Sequence, residues 1–248
     1  MKKKILLTND DGFNSPGLQA LVEILSEDHD LWIVAPKDPQ SAMGCSHAHG
    51  NKWISWEKYS NQAYTVSGSP ATCISVALRE LSIKPDMVVS GINFGENLGL
   101  NLFYSGTIGA AWEAAMSGYL SLACSLELPP NEHYRMNFSS DYFHFAAFHT
   151  KNVINRLILE NPGCKLWNLN IPTNATMNTP IKEAKIGHNR WNYPIIREKE
   201  RFESHGKVRF EFDPTNTNFS TDSDVFLLRS GNITLAKIDN FVLPWNSD

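Results

Sequence analysis

Short apolar runs alternate with longer segments of helical spacing through the first half of the chain. The apolar runs occupy residues 4–8, 31–35, 86–90 and 120–125. Each run has a length typical of a buried strand, whereas residues 16–25 repeat apolar side chains at helical spacing. This alternation is typical of βαβ units, in which helices join parallel strands. We therefore predict an α/β fold built on a mostly parallel sheet.

Serine and proline mark the starts of several predicted helices. Ser69 followed by Pro70 favours an N-cap with proline in the first helical position, and it predicts a helix over residues 70–81. Further helices are predicted from Ser105 to about residue 116 and over residues 140–159.

The pattern loosens beyond residue 130. Strands are predicted over residues 165–172, with shorter strand-like pieces at 207–212 and 232–238. A chain of 248 residues is long enough for one large core. We predict a single domain over residues 1–248, in which 1–130 form the core and 131–248 extend the sheet with hairpins.

Charge and composition exclude several classes of partner. The chain has 22 Lys and Arg against 26 Asp and Glu, a formal charge of −4. This balance gives no electrostatic footprint for duplex nucleic acid or an anionic membrane, although a small anion could still bind locally. The apolar stretch after the N-terminal lysines is too short for a signal peptide, and no run reaches the ~20 residues of a membrane span. Four scattered cysteines without a C-x-x-C pair indicate a reducing compartment, so we expect a cytoplasmic protein.

Polar residues follow the predicted strands at the edge where an open α/β sheet binds its ligands. Asp10 and Asp11 come directly after the first strand, between Asn9 and Gly12. One interpretation is an ordinary turn, because Asn, Asp and Gly all favour turns. The other is a cation site, because adjacent carboxylates repel each other unless a cation lies between them.

Residues 91–101 alternate glycine and asparagine after the 86–90 strand. The amides of Asn93 and Asn97 could ligate a metal or donate to a phosphate, although such residues also form plain surface loops. The segment lacks both the Walker lysine and the dinucleotide fingerprint. Next along the chain, Ser105-Gly106-Thr107 lies at a predicted helix start, where backbone N–H groups favour an anion.

Two weaker patterns are present. Cys45, His47 and His49 could suggest zinc, but their spacing matches no common zinc framework. Arg190-Trp191 could stack on a base, although packing under a loop is the favoured interpretation.

Taken in order, the strand-end segments resemble the SurE family of metal-dependent 5′/3′-nucleotidases. The matching segments are TNDDG (8–12), VAPKDPQSAMG (34–44), SGSPATC (67–73), VSGINFGENLG (89–99), YSGTIGAA (104–111) and NLNIP (168–172). HNRWN and GNITLAKI resemble the C-terminal half of the family more loosely. The departures from the family pattern are Thr72 in place of Asp, Cys45 in place of His, RFEF at 209–212 in place of an aromatic-rich stretch, and Asn232 in place of a frequent Tyr.

The resemblance implies a Rossmann-like fold with helices on both faces of the sheet and a C-terminal hairpin extension. It implies one divalent cation per subunit, Mg²⁺ or Mn²⁺, and homodimers or homotetramers that exchange C-terminal elements. The cation ligands that it implies are Asp10, Asp11, Ser41 and Asn93. The phosphate would contact Ser105, Gly106 and Thr107, to which the loop analysis adds Asn93 and Asn97.

The expected function is hydrolysis of nucleoside 5′-monophosphates, with Asp10 and Asp11 as the catalytic pair. The resemblance extends the expected substrates to 3′-monophosphates and short polyphosphate. Two alternatives stay open. One is a phosphatase in which Asp10 becomes covalently phosphorylated, although such enzymes use Asp-x-Asp rather than adjacent aspartates. The other is a nucleotide-binding module without catalysis.

Overall fold

The computed structural model describes residues 2–48, 50–51, 53–129, 138–187, 195–197, 208–210 and 219–239. Its strands are β1 (Lys3–Thr8), β2 (His29–Pro36), β3 (Trp56–Ser60), β4 (Ala63–Val66), β5 (Met87–Phe94), β6 (Leu120–Leu126), β7 (Leu166–Ile171), β8 (Ile181–Ala184), β9 (Ile195–Arg197), β10 (Val208–Phe210) and β11 (Ile233–Lys237). Its helices are α1 (Pro16–Leu25), α2 (Pro70–Ser75), α3 (Gly106–Met116), α4 (His144–Glu160) and α5 (Asp224–Arg229).

Nine strands form one mixed sheet in the order β3-β4-β2-β1-β5-β6-β7-β11-β8. The six strands from β4 to β7 in this order run parallel to their neighbours. At the two ends of the parallel block, β3 pairs antiparallel with β4, and β11 pairs antiparallel with β7. A separate antiparallel pair joins β9 and β10. The predicted mostly parallel α/β sheet with a C-terminal hairpin is confirmed.

Side chains alternate between two helical layers. Ile5 and Leu7 of β1 pack in one core cluster with residues of α1 and α4. Leu6, between them, packs in a second cluster with residues of α2 and α3. Successive strand side chains point to opposite faces of a sheet, so β1 is buried on both sides. This explains the unbroken apolar run at residues 5–7.

Serines cap the helices that flank the strand ends. The Oγ atoms of Ser15, Ser69 and Ser105 accept N–H groups from the first turns of α1, α2 and α3. These caps satisfy donors that the helices leave free, so each helix starts where the sequence predicts.

Several elements differ from the sequence prediction. The pair β3 and β4 was not predicted; every residue of β3 is exposed, so this edge strand carries no apolar alternation. The helix predicted over residues 70–81 is α2 followed by a π-helical segment, Val76–Glu80. The strand predicted over residues 86–90 continues as β5 to Phe94.

Asp224 connects the C-terminal part of the chain to the loop after β5. Its carboxylate accepts the backbone N–H groups of Gly99, Gly187 and Val225, each at 2.9 Å. The side chain is fully buried, and this burial raises the pKa of its carboxyl group. Three N–H donors therefore converge on one buried acceptor.

All four cysteines are free thiols. Within the described ranges, no helix is long and apolar enough to cross a bilayer. His49, Arg190, Trp191 and residues 207, 211 and 212 lie outside the described residues, so the predictions made on them stay predictions.

Candidate functional site

The sheet reverses its strand order between β1 and β5. From β1 the chain builds outward through β2 and β4, then returns to place β5 on the other side of β1. In open α/β sheets, ligands bind in the crevice beyond the carboxyl ends of the strands at such a reversal. Asp10 and Asp11 follow β1, and Asn93 lies near the end of β5. The predicted residues therefore lie at the position where this fold binds ligands.

The turn after β1 is held by its own asparagine. Asn9 Nδ2 donates to the carbonyl oxygen of Gly12 at 2.9 Å and to Ser15 Oγ at 2.5 Å. Gly12 has a φ of 96°, a conformation that favours glycine. Asn9 and Gly12 thus shape the turn that presents both carboxylates.

Asp10 is fixed by the N-terminus of α3. Thr107 Oγ1 donates to Asp10 Oδ1 at 2.6 Å. A Cβ atom on Gly106 would lie 2.9 Å from Asp10 Cβ, so only glycine permits this approach. Asp10 is 6% exposed, and burial raises the pKa of its carboxyl group.

Asp11 is half-buried and faces a cavity. The Phe94 backbone N–H donates to Asp11 Oδ2 at 3.1 Å, which links the end of β5 to the turn after β1. Burial, and secondarily the charge of Asp10, raise the pKa of Asp11 to about 7. The two carboxylates therefore resist carrying two negative charges together without a compensating cation.

A bulge in β5 places Asn93. The pairing of β5 with β6 shifts between Ser90 and Asn93, where β5 carries one extra residue. Such bulges redirect side chains next to active sites. Asn93 Nδ2 donates to the carbonyl oxygen of Gly95 at 2.6 Å, so the amide oxygen is the atom that could ligate a cation.

Ser41 lies on an exposed loop that is attached to the site on both sides. The Gln40 N–H donates to the Asp10 carbonyl oxygen at 2.7 Å, and the Gly44 N–H donates to the Tyr104 carbonyl oxygen at 3.0 Å. Ser41 also lines the cavity that Asp11 faces. The structure thus brings Ser41 to the edge where the two carboxylates lie.

The chemistry of these four residues fits a hard divalent cation. Two carboxylates, a hydroxyl and an amide supply oxygen donors, which Mg²⁺ and Mn²⁺ prefer. Across the described ranges, none of the ion pairs includes Asp10 or Asp11. A cation would supply the positive charge that neither carboxylate receives from a basic side chain in these ion pairs.

The residues predicted to contact phosphate have two different environments. Ser105 and Gly106 lie at the start of α3, where Gly106 packs against Asp10. The Thr107 hydroxyl donates its hydrogen bond to Asp10. Asn97 is buried elsewhere: its backbone N–H donates to Asn170 Oδ1 at 2.8 Å, and its Nδ2 donates to Ser125 Oγ at 2.9 Å. The structure therefore gives Asn97 protein partners, and phosphate contact by this residue stays a prediction.

His47 and Thr72 also have protein partners. The His47 ring nitrogens contact the Ala48 carbonyl oxygen and Ser75 Oγ, at 2.7 and 2.8 Å. Thr72 Oγ1 accepts the Ala48 N–H at 3.0 Å. The threonine that departs from the family pattern therefore anchors the far end of the Ser41 loop to α2.

The sequence interpretation missed a cavity of about 330 Å³ beside Asp11. Four phenylalanines contribute to its wall, together with Lys37, Pro39, Ser41 and the turn after β1. Its full lining is Asp11, Gly12, Phe13, Asn14, Ser15, Pro16, Gly17, Lys37, Pro39, Ser41, Phe94, Phe138 and Phe143. The sequence did contain a sign of this cavity, because Phe13 and Phe94 directly follow the two segments that carry the candidate ligands.

The chain is similar to a known protein family, to curated proteins and to a solved structure. The model of the family "Survival protein SurE" matches residues 5–193. A 5′-nucleotidase SurE from Methanococcus maripaludis (strain C6 / ATCC BAA-1332) is 34% identical over 97% of this chain and 94% of that relative. A 5′-nucleotidase SurE from Cytophaga hutchinsonii is 34% identical over 94% of this chain and 90% of its own length.

A solved structure agrees with the sequence comparisons. The crystal structure of the SurE protein from Aquifex aeolicus superimposes with a TM-score of 0.79 at 26% identity, covering 98% of this chain and 95% of that one. The family match covers most of the chain, and both relatives exceed 30% identity across nearly its whole length. The chain therefore belongs to the SurE family.

Proposed function

We propose that this protein is a 5′-nucleotidase that hydrolyses nucleoside monophosphates to nucleoside and phosphate with one divalent cation. The observation that carries the proposal is the adjacent pair of buried Asp10 and half-buried Asp11 at the sheet's strand-order reversal, together with Ser41 and Asn93. The relatives named 5′-nucleotidase SurE support the same activity.

In this proposal Asp10, Asp11, Ser41 and Asn93 hold the cation, Mg²⁺ or Mn²⁺. When bound, such a cation supplies positive charge against the phosphoryl oxygens and lowers the pKa of water. The start of α3, near Ser105, adds backbone dipoles that favour the phosphate.

The two aspartates have different tasks in this mechanism. Asp10 is almost fully buried and is held by Thr107, so it serves as a fixed ligand. Asp11 lines the cavity and is the carboxylate that a substrate would reach. A proton released during hydrolysis would therefore go to Asp11.

The test is phosphate release from AMP with Mg²⁺ or Mn²⁺. Asp10→Asn and Asp11→Asn should each abolish turnover, and chelation of the metal should do the same to the wild type. Asp141→Asn, an exposed carboxylate distant from β1 in the sequence, is the matched control and should keep full activity. Wild-type turnover by a folded Asp10→Asn variant would contradict the proposal.

Two other measurements separate the alternatives. A stable beryllium fluoride complex on Asp10, which mimics an aspartyl phosphate, would favour covalent catalysis by Asp10. Tight AMP binding with no phosphate release would favour a binding module.

We further propose, from the family resemblance, that 3′-monophosphates and short polyphosphate are also substrates. A screen of phosphate release across these compounds tests this extension. The C-terminal part, residues 131–248, is proposed to extend the single domain and to assemble it into a homodimer or homotetramer. Light scattering coupled to gel filtration measures that state directly.

A further inference from the structure

We propose that the cavity beside Asp11 is a base subsite, which holds the nucleobase of the substrate by stacking on phenylalanine. The proposal rests on the proposed nucleotidase function and goes further by naming the part of the substrate that is recognised. In this proposal the same phenylalanine-lined cavity binds the base of every nucleotide substrate, whichever base it is.

The wall of the cavity is an aromatic cluster. The ring centroids of Phe94 and Phe138 lie 4.5 Å apart, and those of Phe94 and Phe143 lie 6.0 Å apart. Phe143 is 1% exposed and backs the cluster, whereas Phe94 and Phe138 are partly exposed. The cluster therefore has a fixed interior and an accessible aromatic surface.

Phe13 contributes a second aromatic group from a different segment. It follows the Asp10–Asp11 turn directly, is partly exposed, and packs against Tyr59 with ring centroids 5.1 Å apart. Rings thus reach the cavity both from the turn after β1 and from the end of β5.

The cavity is continuous with the candidate reaction centre. Asp11 and Ser41 form part of its lining, and the backbone N–H of Phe94 donates to Asp11 Oδ2 at 3.1 Å. A volume of about 330 Å³ lies at the lower end of the range typical of small-molecule sites. A ligand whose phosphate lies at the carboxylate pair would therefore place its remaining groups against the phenylalanines.

Two polar side chains of the lining, Ser15 and Lys37, already have protein partners, so these two are not free to read the edge of a base. Ser15 Oγ accepts from Asn9 and caps α1, and Lys37 Nζ lies 3.1 Å from Glu57 Oε1. Every base presents an aromatic face, so stacking tolerates different bases. We expect AMP, GMP and CMP to differ in kcat/KM by no more than about tenfold, and all to exceed ribose 5-phosphate.

The experiment compares AMP with ribose 5-phosphate, which carries the phosphate and sugar but no base. Phe94→Ala should lower kcat/KM for AMP by about 5- to 150-fold, the loss that corresponds to one stacked base. The value for ribose 5-phosphate should fall much less, because that substrate has no ring to stack, so the ratio of the two kcat/KM values should drop by about fivefold or more. Phe94→Tyr keeps an aromatic ring and should restore most of the AMP activity.

Two further variants guard against misfolding and nonspecific effects. Phe13→Ala removes the second ring without disturbing the Phe94 cluster, and it should reduce AMP turnover selectively as well. Phe145→Ala is the matched control, because this phenylalanine is 41% exposed on α4 and does not line the cavity. It should leave both substrates unaffected.

Equal losses for both substrates in Phe94→Ala and Phe13→Ala would overturn the base subsite, as would wild-type enzyme that cleaves ribose 5-phosphate as well as AMP. These results leave the nucleotidase proposal intact. Wild-type protein that releases phosphate from neither compound with Mg²⁺ or Mn²⁺ would instead overturn the proposed function itself.

Discussion

The hydrogen bond from Thr107 to Asp10 gives the sharpest test of the site geometry. Thr107 is fully buried, and its hydroxyl lies 2.6 Å from Asp10 Oδ1. Thr107→Val keeps the branched shape of the side chain but replaces the donor with a methyl group. The Asp10 carboxylate then loses a partner that it cannot replace with solvent.

The size of the effect follows from the strength of such bonds. A hydrogen bond to a charged group contributes about 1.5–3 kcal/mol, and each 1.36 kcal/mol corresponds to a tenfold change. We therefore expect Thr107→Val to lower kcat/KM for AMP by about 10- to 150-fold. The same change should raise the Mn²⁺ concentration needed for half-maximal activity, since Asp10 is a proposed ligand.

The assay is phosphate release over a Mn²⁺ titration, with a thermal melt to confirm folding. Thr107→Ser retains the hydroxyl and should stay within about threefold of the wild type. An unchanged Mn²⁺ dependence together with a raised KM would show that Thr107 binds phosphate instead. Unchanged kcat/KM in Thr107→Val would refute the positioning role altogether.

Four further predictions concern close packing and carboxylates that accept backbone N–H groups. Gly106→Ala should lower kcat/KM by about 100-fold in a phosphate-release assay, because its Cβ would displace Asp10; wild-type activity would contradict this. Asp224→Ala should lower the free energy of unfolding in urea by about 3 kcal/mol or more, since three backbone donors lose their acceptor. Burial raises the folded-state pKa of Asp224. The free energy of unfolding of the wild type, relative to Asp224→Asn, should therefore be greatest below pH 3.8 and fall as pH rises through the folded pKa. A difference that does not change with pH would contradict a raised pKa for Asp224. Asp86→Ala should lower stability by about 1 kcal/mol at pH 7, because the N–H bond from Lys4 lowers the Asp86 pKa, and this difference should vanish in urea titrations as pH falls through that lowered pKa.

Strand ends could be predicted from the sequence because polarity changes abruptly there. The apolar run of β1 stops at Asn9, and the carboxylates follow at once. The parallel arrangement then brings the residues beyond β1 and β5 to one edge. Ser105 could likewise be predicted as the start of α3, because its N-cap is a local feature of the chain.

Contacts made by packing could not be predicted in this way. Thr107 meets Asp10 across 97 residues of chain, so its hydroxyl gave no local sign of its partner. The bulge before Asn93 depends on the pairing of β5 with β6, which a single strand does not reveal. The exposed strand β3 lacks an apolar face, and the cavity combines phenylalanines from separate segments.

The Phe94–Asp11 hydrogen bond joins residues 83 positions apart and spans β1 and β5, the two strands at the order reversal. Contacts between residues this far apart cost loop-closure entropy before they are formed, so we expect this pairing to form late in folding. The proposed ligands come together only when those strands have paired. A cation that binds these ligands would therefore stabilise only the folded protein. By mass action it should raise the melting temperature and slow unfolding, without increasing the folding rate.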